Sequence, residues 1–332
     1  MSRLHDFRRE LQGNRNFSFI LGNGINRYAY NGIKEKEDAI PWPILVQNIW
    51  NIYSTKKILN IDELDNGISL TELYDVIYLN EDNAPTLKMK DSVVEYFNSH
   101  RLNVPETYHK KLQSSLKAWN VPVLTTNFDS NIEVDLQATI LRHPINGFRK
   151  GFTHYYPWNI VCLPDSHTNT SDLLNQFGVW HINGMLKYKE SIRLGLTDYM
   201  GQVERARRMI NSMKKDGDSP FSRLNMDNWS GYNTWLHILF NTDLCVLGLN
   251  LDVNENFLRW LLIERQKYYK RFIDHGITTC KGWYVYSKDD KELSDGKRLF
   301  LESVGLKLIE LETYKDVYEE LLLSGRADLK LI

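Results

Sequence analysis

A chain of 332 residues can form one large α/β domain or two ordinary ones, and either buries a substantial core. Lys plus Arg number 41 against 42 Asp plus Glu, so the formal net charge of -1 argues against any general attraction to nucleic acid or acidic membrane. Cys162, Cys245 and Cys280 lie far apart and none belongs to a C-x-x-C pair, which argues against a disulfide framework or a cysteine zinc site and fits a reducing cytoplasm.

The first residues, MSRLHDFRRELQ, are charged throughout and lack the apolar core of a signal peptide. No stretch approaches the roughly 18 apolar residues of a membrane span. A soluble cytoplasmic protein is expected. The generous supply of tryptophan and tyrosine is read as core packing.

The first strand is Phe17 to Leu21, and it runs directly into Gly22-Asn23-Gly24 and then Ile25-Asn26-Arg27. Two glycines so placed make either a tight turn or a cradle that brings backbone N–H groups against a phosphate. The dinucleotide fingerprint G-x-G-x-x-G is incomplete, because Arg27 stands where its third glycine belongs. From Tyr28 to about Lys117 the pattern is helical with polar loops, the best helices being Ile44 to Tyr53, Leu70 to Tyr78 and Val93 to Phe97 with its flanks. This predicts a helical insertion that covers one end of the sheet.

A second strand, Val121 to Thr125, breaks into Thr125-Thr126-Asn127-Phe128-Asp129. Hydroxyls, an amide and a carboxylate at a strand's carboxyl end suit a ribose or a positioned water, although Asp129 or Ser130 could equally cap a following helix. Thr153 to Leu174 reads as a polar loop, with DSHTNTSD at Asp165 to Asp172 exposed. In FGVWHINGMLKY, His181 sits inside an apolar run ahead of Asn183 and Gly184, either as a core histidine or as a catalyst. A helix is expected over Thr197 to Met213 and a loop over Lys214 to Asn228.

The strand Leu244 to Leu249 carries a second glycine turn at Gly248 and Asn250. Asp252 then reads as the cap of a helix over Val253 to Tyr269, with Glu255 as its capping-box partner and Phe257, Trp260 and Leu261 on one face. Strands at Gly282 to Tyr286 and Leu306 to Leu311 and a helix at Tyr314 to Leu323 complete the pattern. The strands are continuous apolar runs, as parallel strands covered on both faces should be. The fold class expected is α/β, a Rossmann-like, mainly parallel sheet flanked by helices, in one domain with the insertion at about 28–117 and a strand–helix extension at about 281–325.

A glycine turn after the first strand, T-x-N-x-D after a later one, a histidine ahead of a glycine, and a G-x-N turn before a long helix together resemble the sirtuin fold. The corresponding sirtuin pieces are G-A-G-x-S, T-Q-N-x-D, the H-G histidine and a late G-T/N-S turn, all of which surround NAD. The chain is most similar to the sirtuin-like domains of bacterial anti-phage defence proteins, which lack the cysteine zinc module and hydrolyse NAD. The resemblance spans about residues 17 to 270. It implies an NAD glycohydrolase that needs no metal, with Asn127 and His181 catalytic and with Gly22, Asn23, Gly24, Asn26, Thr126, Asp129, Gly248 and Asn250 binding the nucleotide. It also implies a homo-oligomer or a complex with another defence protein that controls activity.

Two positions depart from the family. Asn23 replaces the sirtuin alanine, and Asn183 stands immediately before Gly184, where the defence branch often carries its catalytic histidine in H-x-H-G. Either His181 serves instead, or the chain is an NAD- or ADP-ribose-binding regulatory subunit without turnover. A hydride-transferring dehydrogenase would want the third glycine and an acidic residue about 20 positions further on, and neither is found.

Overall fold

All five residues from Phe17 to Leu21 are buried, which an apolar run without polar alternation achieves only as a strand covered on both faces. This strand, β1, is the centre of the molecule. The computed structural model describes residues 3–30, 41–54, 67–80, 86–99, 106–140, 157–164, 173, 175–211, 229, 231–232, 234–275, 279–290 and 293–325. The other strands are β2 (Pro122–Thr125), β3 (Gln137–Ile140), β4 (Ile160–Leu163), β5 (Gly178–His181), β6 (Asp243–Leu247), β7 (Gly282–Ser287) and β8 (Lys307–Leu311).

They form one eight-stranded sheet in the order β3-β4-β5-β2-β1-β6-β7-β8. The six strands β5, β2, β1, β6, β7 and β8 are parallel to one another, whereas β4 runs antiparallel to both β5 and β3. The parallel part, 5-2-1-6-7-8, is the doubly wound Rossmann order with its change of direction between β1 and β6. The expected α/β class is therefore the observed one. The last two strands, β7 and β8, complete this sheet beyond β6.

Alternate residues of each strand feed two cores. Ile20, Leu124, Trp180, Val246 and Tyr284 pack under the helices Leu196–Asn211, Trp235–Asn241, Asn256–Phe272 and Asp295–Ser303. Phe19, Val123, Val179, Cys245 and Trp283 pack on the other face, under the helices Arg3–Gly13 and Glu106–Trp119 and the turn Asp316–Leu321. The chain crosses from β1 to β2 in one direction along the sheet and from β5 to β6, β7 and β8 in the other, and right-handed crossovers of opposite direction lie on opposite faces, which explains the two layers. Arg265, fully buried, fastens the amino ends of β6 and β7 by donating to the carbonyls of Thr242, Cys280 and Lys281 at 3.1, 3.2 and 3.0 Å.

A third core belongs to the helices Trp42–Tyr53, Leu70–Asn80 and Thr86–Ser99, which bury Val46, Ile49, Ile77 and Val93 among themselves and against Ile192 and Leu194. These helices lie within the stretch read from the sequence as a helical insertion at about 28–117. The helix Glu106–Trp119 instead packs on the sheet through Leu112, Leu116 and Trp119 as the crossover into β2.

Further differences concern short elements. The polar loop expected over Thr153 to Leu174 contains β4, whose four buried residues lie between Pro157 and Pro164. The charged N-terminus forms the helix Arg3–Gly13, which buries Phe7 and Leu11, one turn apart. The expected loops at Asp165 to Asp172 and Lys214 to Asn228 lie outside the described residues. Among the described residues no helix is long and apolar enough to cross a membrane.

The two glycine turns meet at the direction change. Gly22 N–H donates to Leu247 O at 3.1 Å, and Gly24 N–H donates to Gly248 O at 2.8 Å. A Cβ on Gly22 would fall 2.5 Å from Gly248 O, and one on Gly24 would fall 2.4 Å from the Tyr318 hydroxyl and 2.6 Å from Gly248 Cα. Glycine is demanded here by another strand's turn. The close approach leaves no room for a side chain at Gly24, whether or not a phosphate also lies there. We expect Gly24→Ala to lower stability by about 2–4 kcal/mol through overpacking against backbone; urea unfolding followed by tryptophan fluorescence measures it, and an unchanged midpoint would refute the close approach.

Candidate active site at the carboxyl ends of the strands

Leu21 is in register with both Thr125 and Leu247, and Thr125 with His181, so the four motif-bearing segments leave the sheet at one level. Ligands bind beyond this edge in open parallel sheets. The residues proposed from the sequence are largely bound to one another here, while Asn183 leads to a second group of polar residues beside the helix Leu196–Asn211.

Asn26 belongs to the first group and is buried. Its amide donates to Asn23 Oδ1 at 3.0 Å and Asp129 Oδ2 at 2.9 Å, and its oxygen accepts from His109 Nε2 at 3.1 Å and Asn131 Nδ2 at 3.2 Å. Burial pulls the His109 pKa down to about 4, so the ring is neutral and Nε2 carries its proton. Burial first, then the charge of Glu133, raises Asp129 above the ordinary carboxyl range, while the Asn131 N–H acts the other way. Asn26 and Asp129 thus fasten the first loop to the second.

Thr125 Oγ1 donates to Leu21 O at 2.9 Å and accepts from Asn127 N–H at 3.1 Å. Asn127 Nδ2 reaches Gly22 O at 3.3 Å, and Thr126 N–H donates to Leu21 O at 3.2 Å. The T-T-N segment is therefore built against the first glycine turn. Asn250 is exposed and accepts from Lys297 Nζ.

His181 is buried, with both ring nitrogens engaged. Nδ1 donates to Asn127 O at 2.6 Å, and Nε2 faces Glu133 Oε1 at 2.8 Å. Burial opposes its charge, but the Glu133 carboxylate and the contacts with Cys162 and Glu133 outweigh that and raise its pKa well above the ordinary value. Donor atoms of Glu133, Cys162 and His181 lie within 4.8 Å of one another, and Glu133 Oε2 has no hydrogen-bond partner. An unpaired buried acceptor of this kind costs about 1–3 kcal/mol.

Asn183 turns the other way and meets a residue that sequence reasoning had assigned elsewhere. The helix expected from Val253 begins at Asn256, with Glu255 as its N-cap and no side-chain capping bond. Asp252 instead closes the loop through Asn254 N–H at 2.8 Å. The Glu255 carboxyl is hydrogen-bonded to the Asn183 side chain, and burial together with the charge of Asp252 raises its pKa to about 7. The loop that delivers it is strained, with positive φ at Gly248 (62°) and at Leu251 (50°), the latter a rare setting for a bulky residue.

The cap and the helix Leu196–Asn211 carry buried polar atoms without partners, and one of them, the Tyr199 hydroxyl, lies within the field of Glu255. Tyr199, whose hydroxyl is held protonated by burial and then by the charges of Glu255, Asp198 and Asp252, packs its ring 6.1 Å from that of Trp42. The Tyr199 and Tyr74 hydroxyls, both polar atoms of the Gln202 amide and Trp42 Nε1 are buried and unpaired. A buried ion cluster closes the junction: Asp198 takes Lys90 Nζ at 3.3 Å and Arg193 Nη1 at 3.3 Å, joining cap to helix. Leu70 N–H donates to Asn254 Oδ1 at 3.0 Å, which ties the cap to the Glu255 loop.

Buried polar groups in a folded protein nearly always have partners, so the unpaired Tyr199 hydroxyl within the field of a carboxyl titrating near neutrality marks a ligand-binding candidate. A group of this kind can take and return a proton at physiological pH, and the hydroxyls and amides suit a polyhydroxyl ligand. The chain matches no protein-family model and no curated protein, so the family resemblance rests on its own residues.

A carboxyl whose folded pKa is raised favours the fold in its neutral form. That contribution is present below about 4.5, is lost as pH rises through about 7, and leaves a penalty above it. Glu255→Gln should therefore stabilise the protein at pH 8, by up to about 3 kcal/mol for a shift of this size, and by progressively less toward pH 5. Urea midpoints of both proteins at the two pH values test this; equal differences at both would place the carboxyl in ordinary solvent.

Proposed function

We propose that the chain binds NAD at the carboxyl ends of β1, β2, β5 and β6 and hydrolyses its nicotinamide–ribose bond, with Glu255 as the acid–base group. The observation that carries this reading is the near-neutral Glu255 carboxyl set against Asn183, with the unpaired Tyr199 hydroxyl within its field. His181 contributes in this reading by holding the Asn127 loop, since both its nitrogens are engaged by protein.

The chemistry makes limited demands. Nicotinamide leaves as a neutral molecule from a pyridinium that already carries the positive charge, so no acid is needed to expel it. Positive charge develops at the ribose carbon, where a carboxylate stabilises it. Water then adds to that carbon and loses its proton to Glu255, giving ADP-ribose, nicotinamide and one proton. Asn127 and Asn183 would hold ribose hydroxyls or the water. Gly22, Asn23, Gly24, Thr126, Gly248 and Asn250 would border the rest of the nucleotide.

The sirtuin-like resemblance adds a setting: an NAD-depleting effector of bacterial defence against phage, kept silent until an oligomer or partner protein releases it. A second reading, a nucleotide-binding regulatory subunit, is favoured by the enclosed His181 and by Asn183 at the usual histidine position.

Nicotinamide release from NAD, followed with the purified protein alone and with the proteins encoded beside it, separates the two. We expect release to rise with pH through about 7 as Glu255 ionises. Glu255→Gln and Asn127→Ala should each lower turnover roughly a hundredfold or more while calorimetric NAD binding persists. Binding without release in every combination would establish the regulatory reading, and absence of binding would remove both.

A further inference from the structure

We propose that Glu133, Cys162 and His181 form a binding site for a zinc-class divalent cation that pins the antiparallel β3–β4 pair to the parallel sheet. The three donors come from separate elements. Glu133 follows the T-T-N loop after β2, Cys162 lies in β4, and His181 ends β5, so no sequence spacing announces the group. Their ligand atoms nevertheless fall within 4.8 Å of one another, and all three residues are buried, with exposures of 4%, 1% and 3%.

Two features show that the group is arranged for something more than an ion pair. Glu133 Oε2 is buried and without a partner, although its sister oxygen faces His181. The imidazole is oriented by its other nitrogen, with Nδ1–H donating to the Asn127 carbonyl at 2.6 Å, which leaves Nε2 toward the carboxylate. A backbone carbonyl on the distal nitrogen is the usual outer support of a metal-bound histidine.

The donor set selects the ion. Calcium and magnesium take oxygen, whereas nitrogen, thiolate and carboxylate together suit zinc and its neighbours. Glutamate and thiolate offset a dication's charge, and on binding the Cys162 thiol and the His181 Nε2–H that faces Glu133 each release a proton to solvent. The fourth position of a tetrahedral ion would fall to water. Here the cation adds a cross-link where the ladder between β4 and β5 holds the single register pair Cys162 and Val179. Through His181 it also fixes the Asn127 carbonyl. This inference stands apart from the activity proposed above, since no step of that reaction passes through the ion.

The full chain, purified under reducing conditions, should carry about one zinc per chain by elemental analysis. Stripped with dipicolinate and titrated with cobalt, it should bind one ion and develop a thiolate-to-cobalt charge-transfer band. Zinc should raise the thermal midpoint of the stripped protein by roughly 5 °C. Cys162→Ser, checked for folding by circular dichroism, should lose the band, and Glu133→Gln should weaken cobalt binding at least tenfold. A wild-type protein that stays metal-free and leaves cobalt with the spectrum of the free ion would overturn the proposal. So would a band that survives in folded Cys162→Ser, since the thiolate would then be Cys245 or Cys280.

Discussion

The contact between the Gly22–Gly24 turn and the Gly248 turn sets the geometry on which the rest of the molecule depends. The two β strands bearing these turns diverge in connectivity, one leading to the cap and β2, the other to β7 and β8. Backbone bonds from Gly22 to Leu247 and from Gly24 to Gly248 hold their ends side by side. Because the approach is backbone to backbone, it leaves no latitude for side chains of different size. The loops that carry Asn127 and Glu255 are positioned from this seam, the first through Gly22 O and the second by continuation from Gly248.

Two polar systems grow from the seam. One lies beneath the T-T-N loop, where Asn26, His109, Asn131 and Asp129 join in a hydrogen-bonded hub and Glu133, Cys162 and His181 gather beyond it. The other lies under the cap, where Asn183 and Glu255 meet Tyr199 and where Asp198 binds Lys90 and Arg193. His181 and Asn183 are only two residues apart, yet the turn after β5, with Gly184 N–H donating to His181 O at 3.3 Å, sends their side chains to different systems. The H-I-N-G motif is thus where support and candidate chemistry separate.

The central strands are legible because a parallel sheet buries both faces and leaves largely apolar runs such as Phe17–Leu21, whose one polar residue, Ser18, is buried against Thr242, and the stretch about Leu244. The strand β4 was hidden because four residues between prolines give too short a signal, and it stands in a region otherwise rich in loop formers. The glycines were legible as special positions, but their cause was not, since the partner turn lies more than two hundred residues away in the chain. Glu255 was misread for a subtler reason: Asp252 and Glu255 have the spacing of a capping box, and only the strained loop that delays the helix to Asn256 frees the carboxyl. Glu133 and Cys162 carried no local signal, because a buried cluster assembled from three elements has no period in the sequence.

Leu251 concentrates an opposition between two levels of the fold. Its φ of 50° is a backbone setting that glycine or asparagine would adopt with less cost, yet its side chain is fully buried and fills the core that Phe257 and Leu258 also enter. Either demand alone would choose a different residue. Local frustration of this kind narrows the energy gap between the native loop and its neighbours in conformational space. The segment that presents Glu255 is therefore the part of the scaffold where drift in sequence would most readily change the arrangement of the candidate site without disturbing the sheet.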